Sequence, residues 1–353
     1  MIERVFRFFP PPVFLTMPHS GLSLSDDGIR LVTFSEKNGH RKLVRTIHEN
    51  IPNGVVVSGS IEKPEVLIPI LSKIQKRYGI EFVAVTIPDE KTYTFKVSLE
   101  YKKDISITDM VALKIKENVP MEFSEAIFDY NIVSSTEKNI EVIIRVVHRK
   151  VTSAYTALFR SASLKPLLFK VESQAIADAV LGPHDTGSRI IVHIESHKTV
   201  CTLVNQGFSE LSTVLDIGTN SFVEALSKSL GISSDEALLL CTGKGKKINQ
   251  EDFFFSIANL ISVIRDQVIR YAEYWKVKDE KGRSVEQLIV SGMPASIDGL
   301  AHYFEQSTGI RTGVANVWEN AFSLDHTVPE IPFAEALDYA PAIGLALPRQ
   351  LHF

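Results

Sequence analysis

A six-residue string in the second half of the chain has the residue types of a phosphate-binding turn. The string "LDIGTN" occupies residues 215–220 and ends an apolar run. Gly218 would let the backbone approach a ligand closely, Thr219 offers a hydroxyl, and the N-terminus of the helix that follows Asn220 would attract an anion. The alternative is a strand-to-helix turn that contains a glycine and an N-cap residue. Both interpretations place the string between a strand and a helix.

Composition excludes several other kinds of chemistry. The chain has 353 residues, is 44% hydrophobic and 23% charged, and carries a net charge of −4, so nothing global favours a nucleic-acid partner. Its two cysteines, Cys201 and Cys241, form no C-x-x-C pattern and no His/Cys cluster. This argues against a disulfide framework or a zinc site and fits a reducing cytosol. No apolar run approaches the roughly 18 residues of a membrane span.

A pattern of hairpin, third strand, helix and fourth strand occurs twice, and it must position the string. In the first copy, the hairpin turns at residues 25–28 and the helix covers residues 63–78. The strands are predicted in "GLSL", "IRLVTF", "KLVRTIHENI" and "FVAVTIP". Apolar residues of the helical segment recur on one helix face: Val66, Leu67, Ile70, Leu71 and Ile74.

In the second copy, the hairpin turns at residues 195–198. Its strands are predicted in "RIIVHI", "TVCTLVN" and "GFSELSTVLDI", and "QLIVSG" follows as a later strand. A helix over residues 222–229, capped by Asn220 or Ser221, and a long helix over residues 253–275 lie between them. The closing helices are predicted over residues 295–308 and 335–347.

The two copies predict an α/β fold with two related lobes, in which helices cover both faces of each mixed sheet. Chance similarity of two strand-rich segments is the alternative. An N-terminal tail, residues 1–17, begins with the amphipathic string "MIERVFRFF", which would either touch an anionic membrane surface or fray. Four further regions are predicted: a first lobe (18–88 and 166–188, closed by helix 334–347), an inserted α+β subdomain (89–165), a second lobe (189–220 and 287–333) and its helical subdomain (221–286).

Several stretches resemble the actin-like superfamily, and within its FtsA/PilM branch the PilM-like proteins of type IV pilus machines. They are "IPNGVVVSGSIEKPEVLIPIL", "ENVPMEFSEAIFDYNIV", "VESQAIA", "LIVSGMPASIDGLAHYFEQSTGI" and "YAPAIGLAL". Each stretch is weak alone, and their order is more specific than any one of them. The resemblance covers nearly the whole chain after Pro18. It implies a bilobed actin-like fold, that is, a duplicated ribonuclease-H-like fold with an inserted α+β subdomain.

The resemblance also implies that the two hairpin turns are the phosphate loops of an ATP–magnesium cleft. Family members with working sites tend to have Asp-x-Gly at the start of each turn, where Asp places magnesium or water and Gly admits the phosphate. Here Ser23-Leu24-Ser25 and His193-Ile194-Glu195 stand in those places. The candidate cleft residues are Ser23, Ser25, Asp26, Asp27, Gly28, Glu195, Ser196, His197, Lys198, Thr199, Gly218, Thr219, Asn220, Ser291, Gly292 and Met293.

These departures predict that ATP binding is weak or absent and that hydrolysis does not occur, so no catalytic residue and no metal ligand is assigned. Asp26, Asp27 and Glu195 place negative charge where a triphosphate needs donors, and Pro294 removes a backbone donor. In the rival interpretation, magnesium bridges carboxylate and phosphate, Lys198 and His197 add positive charge, and a divergent site still works.

By resemblance, PilM proteins dock the short cytoplasmic tail of PilN, a single-span membrane protein, in a groove that involves the first lobe and the insert. We therefore expect a cytoplasmic scaffold of a type IV pilus-like machine at the inner face of the cytoplasmic membrane, with self-association as a further expectation. One alternative is an active actin-like ATPase whose nucleotide state controls assembly or filament formation. Another is a platform component of a type II secretion system.

Overall fold

The computed structural model describes residues 17–37, 40–100, 104–245, 249–279, 282–323 and 327–348. The amphipathic tail predicted over residues 1–9 lies outside this part of the chain. The described residues form two compact units. The first unit takes its residues from 1–87, 155–183 and 316–353, and the second from 88–154 and 184–315.

The first copy of the repeated pattern begins with an antiparallel hairpin and a third strand. Its elements are β1 (Ser20–Leu24), β2 (Gly28–Lys37), β3 (His40–Asn50), the short strands β4 (Val56–Val57) and β5 (Ser60–Ile61), α1 (Pro64–Tyr78) and β6 (Phe82–Ile87). Pro64 stands in the first turn of α1, where its missing amide removes no helical hydrogen bond. The helix predicted over residues 63–78 is confirmed.

The insert forms a three-stranded antiparallel sheet with a helix on one face. Its elements are β7 (Thr92–Glu100), α2 (Ile107–Asn118), β8 (Ala126–Ser135) and β9 (Asn139–His148), and the strand order is β7-β9-β8. Ser106 caps α2, because its Oγ accepts a hydrogen bond from the Asp109 amide at 3.1 Å. Alternate residues of β9 (Ile140, Val142, Ile144 and Val146) pack with Met110, Val111 and Ile115 of α2.

The chain then returns to the first sheet. Its next elements are α3 (Arg149–Ser161), β10 (Lys165–Val171) and α4 (Glu172–Val180). Strand β10 runs parallel to β6, and β6 runs parallel to β1, which completes a five-stranded sheet in the order β10-β6-β1-β2-β3. Every residue of β1 is buried, so this strand lies at the centre of the core of the first unit.

The second copy repeats the same order of elements. They are β11 (Ser188–Ile194), β12 (Thr199–Asn205), β13 (Phe208–Leu215), α5 (Thr219–Leu230), α6 (Ser234–Cys241), α7 (Gln250–Lys278), β14 (Gln287–Ser291), α8 (Leu300–Thr308) and β15 (Thr312–Val314). The sheet order is β13-β12-β11-β14-β15. When the strands of each sheet are numbered by their order along the chain, both five-stranded sheets have the same order across the sheet: third, second, first, fourth, fifth. In both sheets the first three strands pair antiparallel and the other two pair parallel. The predicted α/β duplication with an inserted α+β subdomain is confirmed.

The last helices differ from the prediction of one helix over residues 335–347. They are α9 (Phe333–Leu337) and α10 (Ala340–Ala346). Asp338 and Tyr339, just before Pro341, separate the two helices. Helix α10 packs on α4 so closely that a Cβ at Gly344 would lie 1.8 Å from the carbonyl oxygen of Ala175. Only glycine permits this contact. The helix predicted over residues 295–308 starts at Leu300, after a 3₁₀ turn at Met293–Ser296.

None of the described helices combines the length and the apolar character needed to cross a bilayer.

Candidate functional site

The two hairpin turns close with the same backbone hydrogen bond. In the first turn, residues 25–28, the Ser25 amide donates to the Gly28 carbonyl at 3.0 Å. In the second turn, residues 195–198, the Glu195 amide donates to the Lys198 carbonyl at 2.8 Å. Ser25 therefore corresponds to Glu195, and Gly28 to Lys198. The first turn belongs to the first unit and the second turn to the second unit.

In the first turn, the Asp27 carboxylate is held by a buried arginine of the same hairpin. The Arg30 guanidinium donates to both oxygens of Asp27, at 3.4 Å (Nη1–Oδ1) and 3.2 Å (Nη2–Oδ2). It also reaches Asp338, with Nη2 3.3 Å from Oδ2, and the Arg30 side chain is only 8% exposed. The Ser25 hydroxyl donates to Asp27 at 2.5 Å. The Asp27 carboxylate is thus neutralised by a guanidinium of its own hairpin.

Asp26 is engaged by a neighbouring backbone turn. Its carboxylate accepts hydrogen bonds from the amides of Ser58 and Gly59, at 2.8 and 3.3 Å. Ser58 has a left-handed backbone, with φ of 45°, which is unusual for a residue other than glycine. The carboxylate therefore stabilises the β4–β5 turn, and both acidic residues of the first turn have partners within the first unit.

Two titratable side chains border Arg30. Burial raises the pKa of Tyr339, with Arg30 opposing this shift and Glu335 and Asp338 adding to it. His48 pairs with Arg30 across β2 and β3. Part of its ring is exposed, yet partial burial and then the Arg30 charge lower the pKa of His48. The neutral ring is favoured near pH 7, which leaves Arg30 as the cation of this cluster.

In the second unit, the string "LDIGTN" leads into α5, which begins at Thr219. The first amides of this helix are already hydrogen-bonded. The Thr219 amide donates to the Glu195 carbonyl at 2.8 Å, and the Asn220 amide donates to the Ser196 carbonyl at 2.9 Å. The next two amides of the helix donate to the Gly218 carbonyl at 3.0 and 3.2 Å. Helix N-termini bind anions through these first amides. Here the second turn takes the first two of them.

Gly218 is required for this contact. A Cβ there would lie 2.5 Å from the Ser196 carbonyl oxygen and 2.7 Å from that of Glu195. The glycine therefore admits protein backbone at the position where a phosphate-binding turn would admit a phosphate. The geometry favours the interpretation of "LDIGTN" as a strand-to-helix turn. The helix predicted to begin at residue 222 begins at Thr219, because the carbonyls of the turn satisfy its first amides.

The cation of the second turn is neutralised by the insert. Lys198 Nζ lies 3.2 Å from Oε1 of Glu90, and the two side chains are 12% and 17% exposed. Glu90 belongs to a 3₁₀ turn at Asp89–Lys91, which precedes β7. Asp89 in the same turn accepts a hydrogen bond from the Ser212 hydroxyl at 2.5 Å. His193 is buried, and its Nε2 lies 3.9 Å from Oε1 of Glu195.

Charged contacts also attach the sheet of the insert to β13. Lys96 lies 3.1 Å from both Glu210 and Glu141, and Glu210 is almost completely buried. Burial alone would lower the pKa of Lys96, but the two glutamates outweigh it and raise this pKa overall. Arg145 donates to the carbonyl and hydroxyl of Ser209 at 3.4 and 3.3 Å. The insert and the second sheet are thus joined through polar groups.

The third predicted segment follows β14. Ser291 pairs with His193 across β14 and β11, and its buried Oγ has no hydrogen-bond partner in the described part of the chain. Met293 starts the 3₁₀ turn that contains Pro294. The structure thus places residues 195–199, 218–220 and 291–293 in the second unit. Residues 23–28 lie in the first unit, where Ser23 pairs with Arg30.

Other reactive groups do not suggest a different site. Both cysteines are buried, and burial raises the pKa of each thiol to about 12. Thiolate chemistry at neutral pH is therefore disfavoured. A metal-binding group of three or more His, Cys, Asp or Glu residues is not found among the residues that the structure describes.

Three of the residues that engage the turns were not identified from the sequence: Arg30, Asp338 and Glu90. Arg30 could have been identified from the sequence, because it is a charged residue within the predominantly apolar strand "GIRLVTF". An arginine at such an inward position requires a buried anionic partner. Asp338 and Glu90 could not be identified from the sequence, since each lies far along the chain from its partner.

Comparison with known proteins agrees with this architecture. The family model described as type IV pilus assembly protein PilM matches residues 21–350. A search of curated proteins found no match. The solved PilM-PilN type IV pilus biogenesis complex aligns with a TM-score of 0.76 at 16% identity, over 94% of this chain and 98% of that one.

Two further solved structures are more distant. The ethanolamine utilization protein EutJ from Carboxydothermus hydrogenoformans aligns with a TM-score of 0.53 at 15% identity, over 93% of this chain and 89% of that one. The cytoplasmic domain of EpsL, an inner membrane component of the type II secretion system of Vibrio cholerae, aligns with a TM-score of 0.38 at 12% identity, over 60% and 73% of the two chains. The last likeness is too low to favour a shared function.

Proposed function

Because the chain belongs to the type IV pilus assembly protein PilM family, we propose that it is a scaffold that docks the cytoplasmic tail of a single-span inner-membrane protein similar to PilN. It would act in the cytoplasm, at the inner face of the cytoplasmic membrane, with ATP binding weak or lost. A PilN partner is present in the solved complex that shares this fold. The proposal thus assigns the fold to protein docking rather than to nucleotide hydrolysis.

The observation that carries the nucleotide part of the proposal is the use of the α5 amides by the second turn. A triphosphate at this helix would have to replace the carbonyls of Glu195 and Ser196 as the acceptors for Thr219 and Asn220. Leaving a buried carbonyl without its donor costs about 1–3 kcal/mol. Each such loss corresponds to roughly 5- to 150-fold in affinity. The residues present therefore do not fit a phosphate group at this turn.

The first turn supports the same conclusion. A magnesium ion bound by Asp27 would compete with the Arg30 guanidinium, which already neutralises this carboxylate. Displacing Arg30 would also take its guanidinium away from the Asp338 carboxylate, which is largely buried. Asp26 could serve the metal only by releasing the amides of Ser58 and Gly59.

The insert supports the docking part of the proposal. Among the described strands, β8 pairs only with β9, so its outer edge can accept an extended peptide. Exposed apolar side chains lie on this strand and on the neighbouring helix: Ile127 is 37% exposed, Ile132 46% and Leu113 55%. Backbone groups along an edge strand and nearby apolar side chains are the features that bind an extended tail without catalysis.

Titration with a fluorescent ATP analogue and magnesium tests the nucleotide part. We expect little binding up to millimolar nucleotide. Micromolar affinity that is abolished by Glu195→Ala or Asp26→Ala would contradict the proposal and favour an active ATPase.

A peptide-binding measurement tests the docking part. The probe is the N-terminal cytoplasmic segment of a single-span membrane protein encoded beside this chain. We expect Ile127→Asp and Ile132→Asp each to weaken binding tenfold or more, which is about 1.4 kcal/mol. The matched control is Leu238→Asp with Leu239→Asp on α6, which are similarly exposed at 43% and 45% and should leave affinity unchanged. Absence of binding to every membrane protein of the same operon would overturn the proposal.

A further inference from the structure

The second half of α1 presents a row of cations to solvent. Lys73, Lys76 and Arg77 are exposed and follow the spacing of one helix face. With Pro69 and Ser72 they line a shallow hollow of about 600 Å³. The acidic residue of this helix, Glu65, lies in its first turn. Eight residues separate it from Lys73, which is roughly 12 Å along a helix. The exposed face near the C-terminus of α1 is therefore uniformly basic.

The row continues onto β3 through Tyr78. The Arg45 guanidinium carbon lies 4.5 Å from the centre of the Tyr78 ring, and that of Arg77 lies 5.2 Å from it. The face of an aromatic ring attracts such cations, so Tyr78 contacts both arginines at the end of the helix. Arg45, Lys73, Lys76 and Arg77 together form what we call the basic surface.

An open apolar cavity borders the basic surface. Arg45 and Tyr78 also line this cavity of about 720 Å³, together with Phe34, Phe82 and Met17. Met17 is 46% exposed. The one carboxylate in the lining, Glu81, is paired with Lys165 at 2.6 Å. Met17 thus lies at the rim of a cavity that shares Arg45 and Tyr78 with the basic surface.

We propose that the basic surface and the apolar rim around Met17 rest on an anionic lipid surface. Lysine and arginine near an anionic leaflet are attracted over about one Debye length, and adjoining apolar groups add contact with the interface. The chain as a whole carries a net charge of −4. Its overall charge would therefore be repelled by such a surface, so binding requires a local cluster of cations. The lipid contact would orient a scaffold that its membrane partner holds near the bilayer. It does not require that the tail of that partner is bound.

Vesicle sedimentation tests the proposal. Phosphatidylglycerol–phosphatidylcholine vesicles are compared with pure phosphatidylcholine vesicles at about 0.15 M salt. Each cation near the surface contributes roughly fivefold in partitioning. The variant Lys73→Gln/Lys76→Gln/Arg77→Gln should therefore lose on the order of 100-fold in binding to the anionic vesicles. The control Lys138→Gln/Lys228→Gln/Lys276→Gln removes three exposed lysines elsewhere and should bind as the unmodified chain does.

Three results would overturn the proposal: no preference for anionic vesicles, an equal loss in the control variant, or no loss in the α1 variant. Capture of a polyglutamate peptide without vesicle binding would assign the surface to an acidic protein segment instead. Both variants should keep the thermal midpoint of the unmodified chain, which excludes misfolding. Both should also keep affinity for the tail peptide in solution, so failure here is distinguishable from failure of tail docking.

Discussion

The two hairpin turns share one backbone hydrogen bond but neutralise their charges differently. Strand register places Arg30 opposite Ser23 in the first copy and Val200 opposite His193 in the second. The first turn therefore depends on a buried arginine from its own hairpin. The second turn has valine at that position and relies on backbone packing against α5 and on Glu90 from the insert. The duplicated backbone persists while each half satisfies its polar groups with its own partners.

This difference indicates what each turn needs in order to keep its shape. Arg30 connects Asp27 and Asp338, so the first turn should be sensitive to charge. The second turn has Gly218 pressed against two carbonyl oxygens, so it should be sensitive to volume. Substitutions matched between the turns can separate these two requirements.

The largest effect is expected for Arg30→Met. Arg30→Met removes the guanidinium that contacts both Asp27 and Asp338 in a largely buried place, and we expect a loss of about 3 kcal/mol in the free energy of unfolding. Chemical denaturation measures this loss. The variant Asp27→Asn/Arg30→Met/Asp338→Asn should recover most of it, because both carboxylates that Arg30 contacts are then replaced by neutral amides. An Arg30→Met protein as stable as the unmodified chain would show that the first turn does not depend on charge.

A smaller effect is expected for Gly218→Ala. Its Cβ would lie within 2.7 Å of two carbonyl oxygens, whereas a Cβ at Gly28 would lie 3.0 Å from its nearest neighbours, one of which is the flexible His48 ring. We expect Gly218→Ala to lower the free energy of unfolding by about 2 kcal/mol and Gly28→Ala by about 1 kcal/mol. Denaturation of the two variants side by side measures the difference. Equal losses, or a larger loss at Gly28, would contradict the assignment of close packing to the second turn.

The smallest effect is expected for the Glu90–Lys198 pair. A double-mutant cycle with Glu90→Gln and Lys198→Met should give a coupling energy of about 1 kcal/mol, since the pair is only partly buried. The coupling should decrease as salt is added. A coupling as large as the loss in Arg30→Met would mean that the second turn depends on charge as much as the first. A coupling energy of zero would show that the insert does not stabilise that turn through this ion pair.

Much of the fold could be predicted because it depends on local pattern. Alternating or continuous apolar runs gave four strands of each five-stranded sheet, and apolar residues at helical spacing gave α1 and α7. The helix α6 was not predicted. It is short, and of its residues only Ala237 and Cys241 are buried, so its apolar face is barely visible in the sequence. The start of α5 was placed three residues late because tertiary contacts, rather than an N-cap side chain, satisfy its first amides.

The sequence by itself determined the duplicated order of elements, the insert and the loss of Asp-x-Gly at both turns, because these depend on residue type and short-range spacing. Only the tertiary structure decided what each polar group of the turns binds. Arg30 and Asp338 are 308 residues apart, and Lys198 and Glu90 are 108 residues apart. Side chains so far apart along the chain meet only after the sheets have formed. The partners of a buried charge follow from three-dimensional proximity, which local periodicity does not encode.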